Sequence, residues 1–282
     1  HTLRAYRGDT NQFVTFWYNQ IKREPALMQA FDAMLRRYIT SLFYKKTSRA
    51  TLARRVCTFR SLKKYLAQQG IKLNLSVKTP RLEKKLPQIL SVDEIFYLLD
   101  TIKDEELNTR YPLRDKAIFE LLYATGVRCS ELVNIKLSDI DRRNRSIRIF
   151  GKGRKDRVVL FNKKAEDRLL RYMQQERMIL ANLENDEEYL FLNQRGTQIT
   201  SRTVQRVIEH FRTFLNIDRT LTPHKIRHSF ATHLLNQGTD LRVIKELLGH
   251  RSLSTTEIYT QVSSSQLAQM CDDKHPLNAI DE

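Results

Sequence analysis

A basic stretch with two prolines and no periodicity interrupts this 282-residue chain, and it bounds what the chain can fold into. Residues 74–88 read Asn-Leu-Ser-Val-Lys-Thr-Pro-Arg-Leu-Glu-Lys-Lys-Leu-Pro-Gln, with four cations and no sustained helical or strand pattern. They divide the sequence into an N-terminal domain at 1–75, a linker at 76–88, a larger domain at 89–262 and a tail at 263–282.

Residues 1–75 are expected to be all helical, with helices near 2–19, 26–45 and 48–69, the last ending at Gly70. Aromatic residues such as Phe13, Phe16 and Trp17 recur at helical spacing, which marks a packed core more than a base-stacking surface. The charge here is uneven. Residues 1–80 hold 16 Lys/Arg and three acids (Asp9, Glu24, Asp32), net +13, while residues 81–282 hold 33 and 29, net +4. A small domain needs a charge of only about 2 to 8 for solubility. The excess, and the net charge of +17 for the whole chain, point to a polyanionic partner.

Other classes are excluded by composition. Eight Gly and six Pro do not make a fibrous or low-complexity chain, and no run of 18 uncharged apolar residues exists to span a bilayer. Cys57, Cys129 and Cys271, odd in number and far apart, fit neither a disulfide framework nor a zinc site. They read as free thiols in a reducing cytoplasm. No signal peptide is visible, and a chain opening on His1 rather than Met leaves room for residues upstream.

The second domain opens with a capping box at Ser91-x-x-Glu94 and is expected to be mostly helical, with helices near 113–125, 163–181, 200–215, 223–237, 240–248 and 255–262. Two β-branched runs, 146–150 and 157–161, form a hairpin around Gly151-Lys152-Gly153. The fold class is therefore mainly α with a small β-hairpin or sheet. Thr222 suits an N-cap and Pro223 a first helical position; on that helix Ile226, Phe230 and Leu234 form one face, and His224, Arg227 and His228 another. Leu241, Ile244, Leu247 and Leu248 make the buried stripe of the next helix, which Gly249 ends in a left-handed cap before His250. Ser254-Thr-Thr-Glu257 caps a short helix carrying Tyr259, and Arg128 sits at a break between helices.

Three familiar chemistries fail on these residues. His224 and His228 have a metal-site spacing, but Lys225 stands where His-Glu-x-x-His needs its Glu, and its charge repels a metal. Gly151-Lys152-Gly153 lacks the leading Gly and trailing Ser/Thr of a P-loop, and no Gly-x-Ser-x-Gly elbow occurs. No cofactor or metal is implied. Two Arg, one Lys, two His and one Tyr suit metal-free attack on a phosphodiester. Guanidiniums clamp the non-bridging oxygens of the transition state, a lysine protonates the leaving 5′ oxygen, and a tyrosine nucleophile conserves the bond energy for rejoining.

Five motifs, in order, carry a resemblance: Ala124-Thr-Gly-Val-Arg128-Cys-Ser-Glu131-Leu, Gly151-Lys152-Gly153-x-Lys155-x-Arg157, His224-x-x-Arg227-His228-Ser-Phe-Ala-Thr, Leu248-Gly-His250 and Thr256-x-x-Tyr259-Thr. The chain resembles the tyrosine recombinase (phage integrase) family along essentially its whole length, most closely the Xer-type site-specific recombinases. The opening Thr2-Leu-x-Ala5-Tyr6-x-x-Asp9-x-x-x-Phe13 is similar to a core-binding, SAM-like domain of that type. Departures stand at Lys225-Ile226, at Gln261 where many relatives have His, and at Leu277 after His275-Pro276; none is a catalytic position.

The resemblance implies a clamp around duplex DNA made by the core-binding domain and a mixed α/β catalytic domain. It implies Tyr259 as the nucleophile of a 3′-phosphotyrosyl link, Arg128 and Arg227 as phosphate clamps, Lys152 as general acid, His224 and His250 as aids to proton transfer, and Glu131 as the residue orienting Arg128. His228 is expected to be a structural hydrogen-bonder. His210, His233 and His275 have no catalytic position. The implied partner is a duplex recombination site with inverted half-sites, bound by a homo- or heterotetramer that exchanges strands through a Holliday junction. A paralogous recombinase, a DNA translocase and docking of the 263–282 tail on a neighbouring subunit belong to the same picture. So do a cytoplasmic, nucleoid-associated location, no membrane partner, and a role in resolving chromosome or plasmid dimers. Integration of a mobile element by the same chemistry, and a non-catalytic or topoisomerase-like DNA-binding relative, stay open.

Overall fold

A computed structural model describes residues 2–21, 31–81, 89–151, 156–181, 188–215 and 220–249. The chain forms two compact units, His1–Leu86 and Pro87–Glu282.

Three helices build the first unit: α1 (Thr2–Ile21), α2 (Phe31–Tyr44) and α3 (Arg49–Gln68). The Ser48 hydroxyl caps α3 by accepting the Thr51 N–H at 3.3 Å, and Gly70, with φ of +77°, lets the chain turn away. Phe13, Trp17, Phe31, Tyr38 and Phe59 are buried and meet edge to face or tilted, so these aromatics serve the core as their spacing suggests. Phe43, Tyr44 and Tyr65 do not. Each lies on a solvent-facing side of its helix and is exposed. Asp9 is 3% exposed in this cationic unit, where it accepts from Thr58 Oγ1 at 2.9 Å and pairs with Arg54 and Arg55, which offset its desolvation. The residues after α3 have neither helix nor strand, yet Leu73 is buried and Leu75 and Val77 pack on the same core. The Asp32 carboxylate fastens them, accepting from the backbone N–H and hydroxyl of Ser76 at 2.8 and 2.7 Å.

The second unit starts at α4 (Val92–Phe96), where the Ser91 hydroxyl accepts from Glu94 N at 3.0 Å and the Glu94 carboxylate from Ser91 N at 2.7 Å. A widened turn, Tyr97–Thr101, extends it. At the centre lies α5 (Pro112–Thr125), buried at every residue from Arg114 to Thr125. A helix buried all round has no polar face, so its charged residues need internal partners. Arg114 pairs with Asp115 at 2.8 Å, Lys116 with Asp104 at 2.9 Å, and Glu120 with Arg168 at 2.9 Å.

Short α6 (Cys129–Leu132) leads to an antiparallel sheet of β1 (Ile140–Asp141), β2 (Ser146–Phe150) and β3 (Asp156–Leu160), in that order. The β2–β3 hairpin is the one expected, with its second strand one residue earlier; β1 is too short to show a period in the sequence. Ile147, Ile149 and Val159 turn inward to the core. Next come α7 (Lys163–Arg171), a widened turn at Tyr172–Arg177, α8 (Met178–Leu180), α9 (Ser201–Arg212), α10 (Pro223–Asn236) and α11 (Leu241–Leu247). Thr222 caps α10 by accepting from Lys225 N at 3.3 Å, with Pro223 at the first position. Ile226, Phe230 and Leu234 are buried along it. The expected helix at 255–262 and the tail at 263–282 lie outside the described residues.

Candidate active site

The site is assembled where α5 ends. Gly126 takes φ of +59° and returns its N–H to Leu122 O at 3.0 Å. A Cβ there would sit 2.5 Å from Phe230 Cδ1 and 2.8 Å from Leu248 Cδ2, so glycine alone admits α10 and the turn after α11 this close. Two residues on, Arg128 is extended (φ −73°, ψ 149°) as the N-cap of α6. Its backbone N–H donates to Glu131 Oε2 at 2.9 Å and its Nη1 to Glu131 Oε1 at 2.8 Å. Nη2 points to Gly249 O at 3.4 Å, and the side chain remains 43% exposed.

Arg227 comes from α10. By helical period it shares a face with His224 and His228, and both of those are exposed, but Arg227 itself is 5% exposed. It is drawn inward by two carbonyls just past the ends of α5 and α11: Nη1 donates to Gly126 O and Nη2 to Leu248 O, each at 2.5 Å. Burial, then the neighbouring charges of Arg128 and Arg157, lower its pKa to about 10, which leaves it protonated at neutral pH. His224 is one turn earlier on α10, exposed. The expected structural role of His228 finds no support in its solvent-facing position. His233 does play such a part, its Nδ1 lying 2.9 Å from the buried Tyr123 hydroxyl.

Arg157, on β3, is the residue to which sequence reasoning gave no role. Its Nη1 and Nη2 donate to Glu131 Oε1 and Oε2 at 3.1 and 2.7 Å, and its Nε donates to Leu247 O at 3.2 Å. A signal for it exists: Arg157 alternates with Val159 on one face of the strand, and Val159 is buried, so an arginine is aimed at the interior. Burial alone would raise the Glu131 pKa. The hydrogen bonds and charges of Arg157 and Arg128 outweigh it and hold the carboxyl down at about 2.

Two guanidiniums thus hold a single carboxylate, and the buried charge of Arg227 lies near enough to act on all three, so the cluster is net positive with Arg128 as its half-exposed member. It suits an oxyanion whose charge is spread over two non-bridging oxygens. Lys152, His250 and Tyr259 lie outside the described residues; in the chain Lys152 follows Gly151 at the end of β2, and His250 follows Gly249. Among the described residues no group of three or more His, Cys, Asp or Glu could hold a metal ion, and no helix is long and apolar enough to cross a membrane.

The "Phage integrase family" model matches residues 88–266, and the "Phage integrase, N-terminal SAM-like domain" model matches residues 1–70. The chain belongs to the phage integrase family. This tyrosine recombinase is 40% identical to tyrosine recombinase XerC of Thermodesulfovibrio yellowstonii over 100% of its own length and 92% of that protein's. It is 36% identical to tyrosine recombinase XerD of Oceanobacillus iheyensis, covering 98% of this chain and 92% of that one. A crystal structure of XerH site-specific recombinase bound to a palindromic difH substrate, a post-cleavage complex, superposes with a TM-score of 0.68 at 25% identity, over 94% of this chain and 76% of that one. The recombinase is thus a DNA strand-transfer enzyme of Xer-like type, with the mainly helical fold and SAM-like N-terminal domain that its sequence suggests.

Proposed function

We propose that this recombinase cuts and rejoins duplex DNA at a site with inverted half-sites, through a 3′-phosphotyrosyl intermediate, as a homo- or heterotetramer that resolves chromosome or plasmid dimers. The observation that carries the reading is the convergence of Arg128 and Arg227 on one turn. Arg227 is bonded to Gly126 O, and Arg128 begins two residues later. Two cations fixed before substrate arrives need no reorganisation when charge develops on phosphorus.

In this scheme the Tyr259 oxygen attacks the scissile phosphorus as its proton passes to one of the assisting histidines, and the bond to the 5′ oxygen breaks, with Lys152 giving that oxygen its proton. Arg128 and Arg227 hold the non-bridging oxygens, His224 and His250 assist proton transfer, and Glu131 orients Arg128. In the second half the partner strand's 5′ hydroxyl attacks the phosphotyrosyl phosphorus and returns its proton to Lys152, while the bond to the Tyr259 oxygen breaks and that oxygen recovers its proton from the histidine that took it. Each strand exchange is then isoenergetic and needs no external energy source. Residues 1–75 grip the DNA, their surplus cations facing phosphates, residues 76–88 link the units, and the tail at 263–282 docks on the neighbouring subunit.

The test is a suicide duplex nicked near the cleavage point, drawn from inverted-repeat sites of the source genome. A covalent protein–DNA adduct that forms in EDTA and is lost in Tyr259→Phe is expected. Absence of adduct on every such site, or a strict need for divalent metal, overturns the reading. Recombinant product rather than relaxation alone separates recombinase from topoisomerase. Removal of residues 264–282 should weaken tetramer assembly on DNA in native gels, and unchanged assembly refutes the docking.

A further inference from the structure

We propose that Arg157 is a positioning residue for strand cleavage: it takes the Glu131 carboxylate in a two-pronged pair, so that Arg128 is steadied by that carboxylate without being captured by it. The inference rests on the reading of Arg128 as a phosphate clamp.

The carboxylate is contested by two guanidiniums. Arg157 reaches both of its oxygens, at 3.1 and 2.7 Å, while the Arg128 side chain reaches one of them, at 2.8 Å. The other oxygen is shared with the Arg128 backbone N–H at 2.9 Å. Carboxylates pair most strongly with a guanidinium in the forked geometry, and that geometry belongs to Arg157. Arg157 is also the better-held rival. Its side chain is 12% exposed against 43% for Arg128, its Nε donates to Leu247 O at 3.2 Å, and its Cδ and Nη1 occupy the side of Gly249 on which a Cβ would stand. A Cβ on Gly249, whose φ is +62°, would stand 3.1 Å from that Cδ.

Without Arg157 the Glu131 side chain, 8% exposed, has Arg128 as the remaining guanidinium bonded to it. Arg128 then closes into the forked pair, and its charge is spent on Glu131 instead of on phosphate. Arg157 also joins three pieces of chain that carry proposed catalytic positions: β3 beyond Lys152, the α6 cap at Arg128, and the α11 turn ahead of His250.

The experiment uses the full chain and single-turnover adduct formation on the suicide duplex, with DNA affinity and melting followed in parallel. Arg157→Met is expected to slow adduct formation by about 10- to 100-fold with DNA affinity held within about threefold, and adding Glu131→Gln is expected to recover about tenfold, because a neutral amide makes no claim on the Arg128 charge. Arg157→Lys, a cation without the fork, should fall between wild type and Arg157→Met. A wild-type rate in Arg157→Met overturns the proposal, and so does a folded double variant no faster than the single. Should Arg157→Met fail to fold, the same comparison between Arg157→Lys and Arg157→Lys with Glu131→Gln decides it. Failure of the underlying reading is separate: the wild type would then form no Tyr259-dependent adduct.

Discussion

Gly126→Ala should be among the most damaging single-methyl additions in the protein, and its cost can be worked from the structure. The backbone there has φ of +59°, which costs an L residue about 1–2 kcal/mol. The added Cβ would also meet Phe230 Cδ1 at 2.5 Å, Leu248 Cδ2 at 2.8 Å and Phe230 Cε1 at 2.9 Å. Phe230 and Leu248 are 4% and 5% exposed, so neither side chain can swing out to solvent. Overpacking of this kind costs about 1–3 kcal/mol, for a total of about 2–5 kcal/mol. For a unit of this size the melting temperature falls about 2–4 °C per kcal/mol, so a drop of about 4–20 °C is expected in circular dichroism or calorimetry. Gly238→Ala is the matched control: φ is +81° there, yet nothing lies within 4 Å of its Cβ, so it should show the backbone cost alone. Phe230→Leu combined with Gly126→Ala should cost less than the two separately, since the leucine relieves the clash. Equal melting losses in Gly126→Ala and Gly238→Ala would refute the packing argument. Because Gly126 O also receives Arg227, adduct formation should fall in the Gly126 variant even at temperatures where it is fully folded.

Arg227→Lys keeps the charge but cannot bridge Gly126 O and Leu248 O while facing phosphate; cleavage should drop about 10²- to 10³-fold with little change in DNA affinity, and near-normal cleavage would contradict its placement. Glu131, held down at about 2 from 4.5, contributes stability that is full above pH 4.5 and is lost as pH falls toward 2. The melting gap between wild type and Glu131→Gln should therefore narrow over that window, and a constant gap would show that the carboxylate is not so held. Glu120 behaves oppositely: burial raises its pKa from 4.5 to about 7 despite Arg168, a displacement worth about 3 kcal/mol, so stability is lost as pH rises from 4.5 through 7. Glu120→Gln should flatten the decline in melting temperature between pH 5 and 8, and parallel curves would exclude the buried acid as its source. DNA affinity should fall about 10³-fold or more between 50 and 200 mM salt if six or more phosphates are contacted; a shallow slope would separate the basic N-terminal unit from phosphate binding.

Local rules carried the reading of the fold a long way. The Ser91 and Thr222 caps, Pro223, the left-handed Gly126-type turns at Gly70 and Gly249, and the apolar stripe of α10 all follow from neighbours within about four residues, and each stands in the structure as its spacing suggests. Where burial was set by distant chain, the same rules were blind. The aromatics at 43, 44 and 65 resemble Phe13 and Phe59 in kind and differ only in which side of the helix the core lies on. Likewise α5 is enclosed on every side, so no amphipathic period announces that Glu120 is buried.

The order of chemistry-bearing residues along the chain, and the family they mark, were determined by sequence alone, because motifs are strings of neighbours. Tertiary structure decided which of those residues meet. Arg227 reaches Gly126 O across 101 positions, Arg128 points to Gly249 O across 121, and Arg157 forks onto Glu131 across 26. No periodicity spans such separations; the contacts exist because α5, α10, α11 and β3 bury their apolar faces together and bring their polar ends to one place. That is why Arg227 reads in sequence only as sharing a helix face with His224 and lies in the structure as a buried cation, and why the partner of Arg157 shows only when β3 is laid against Glu131.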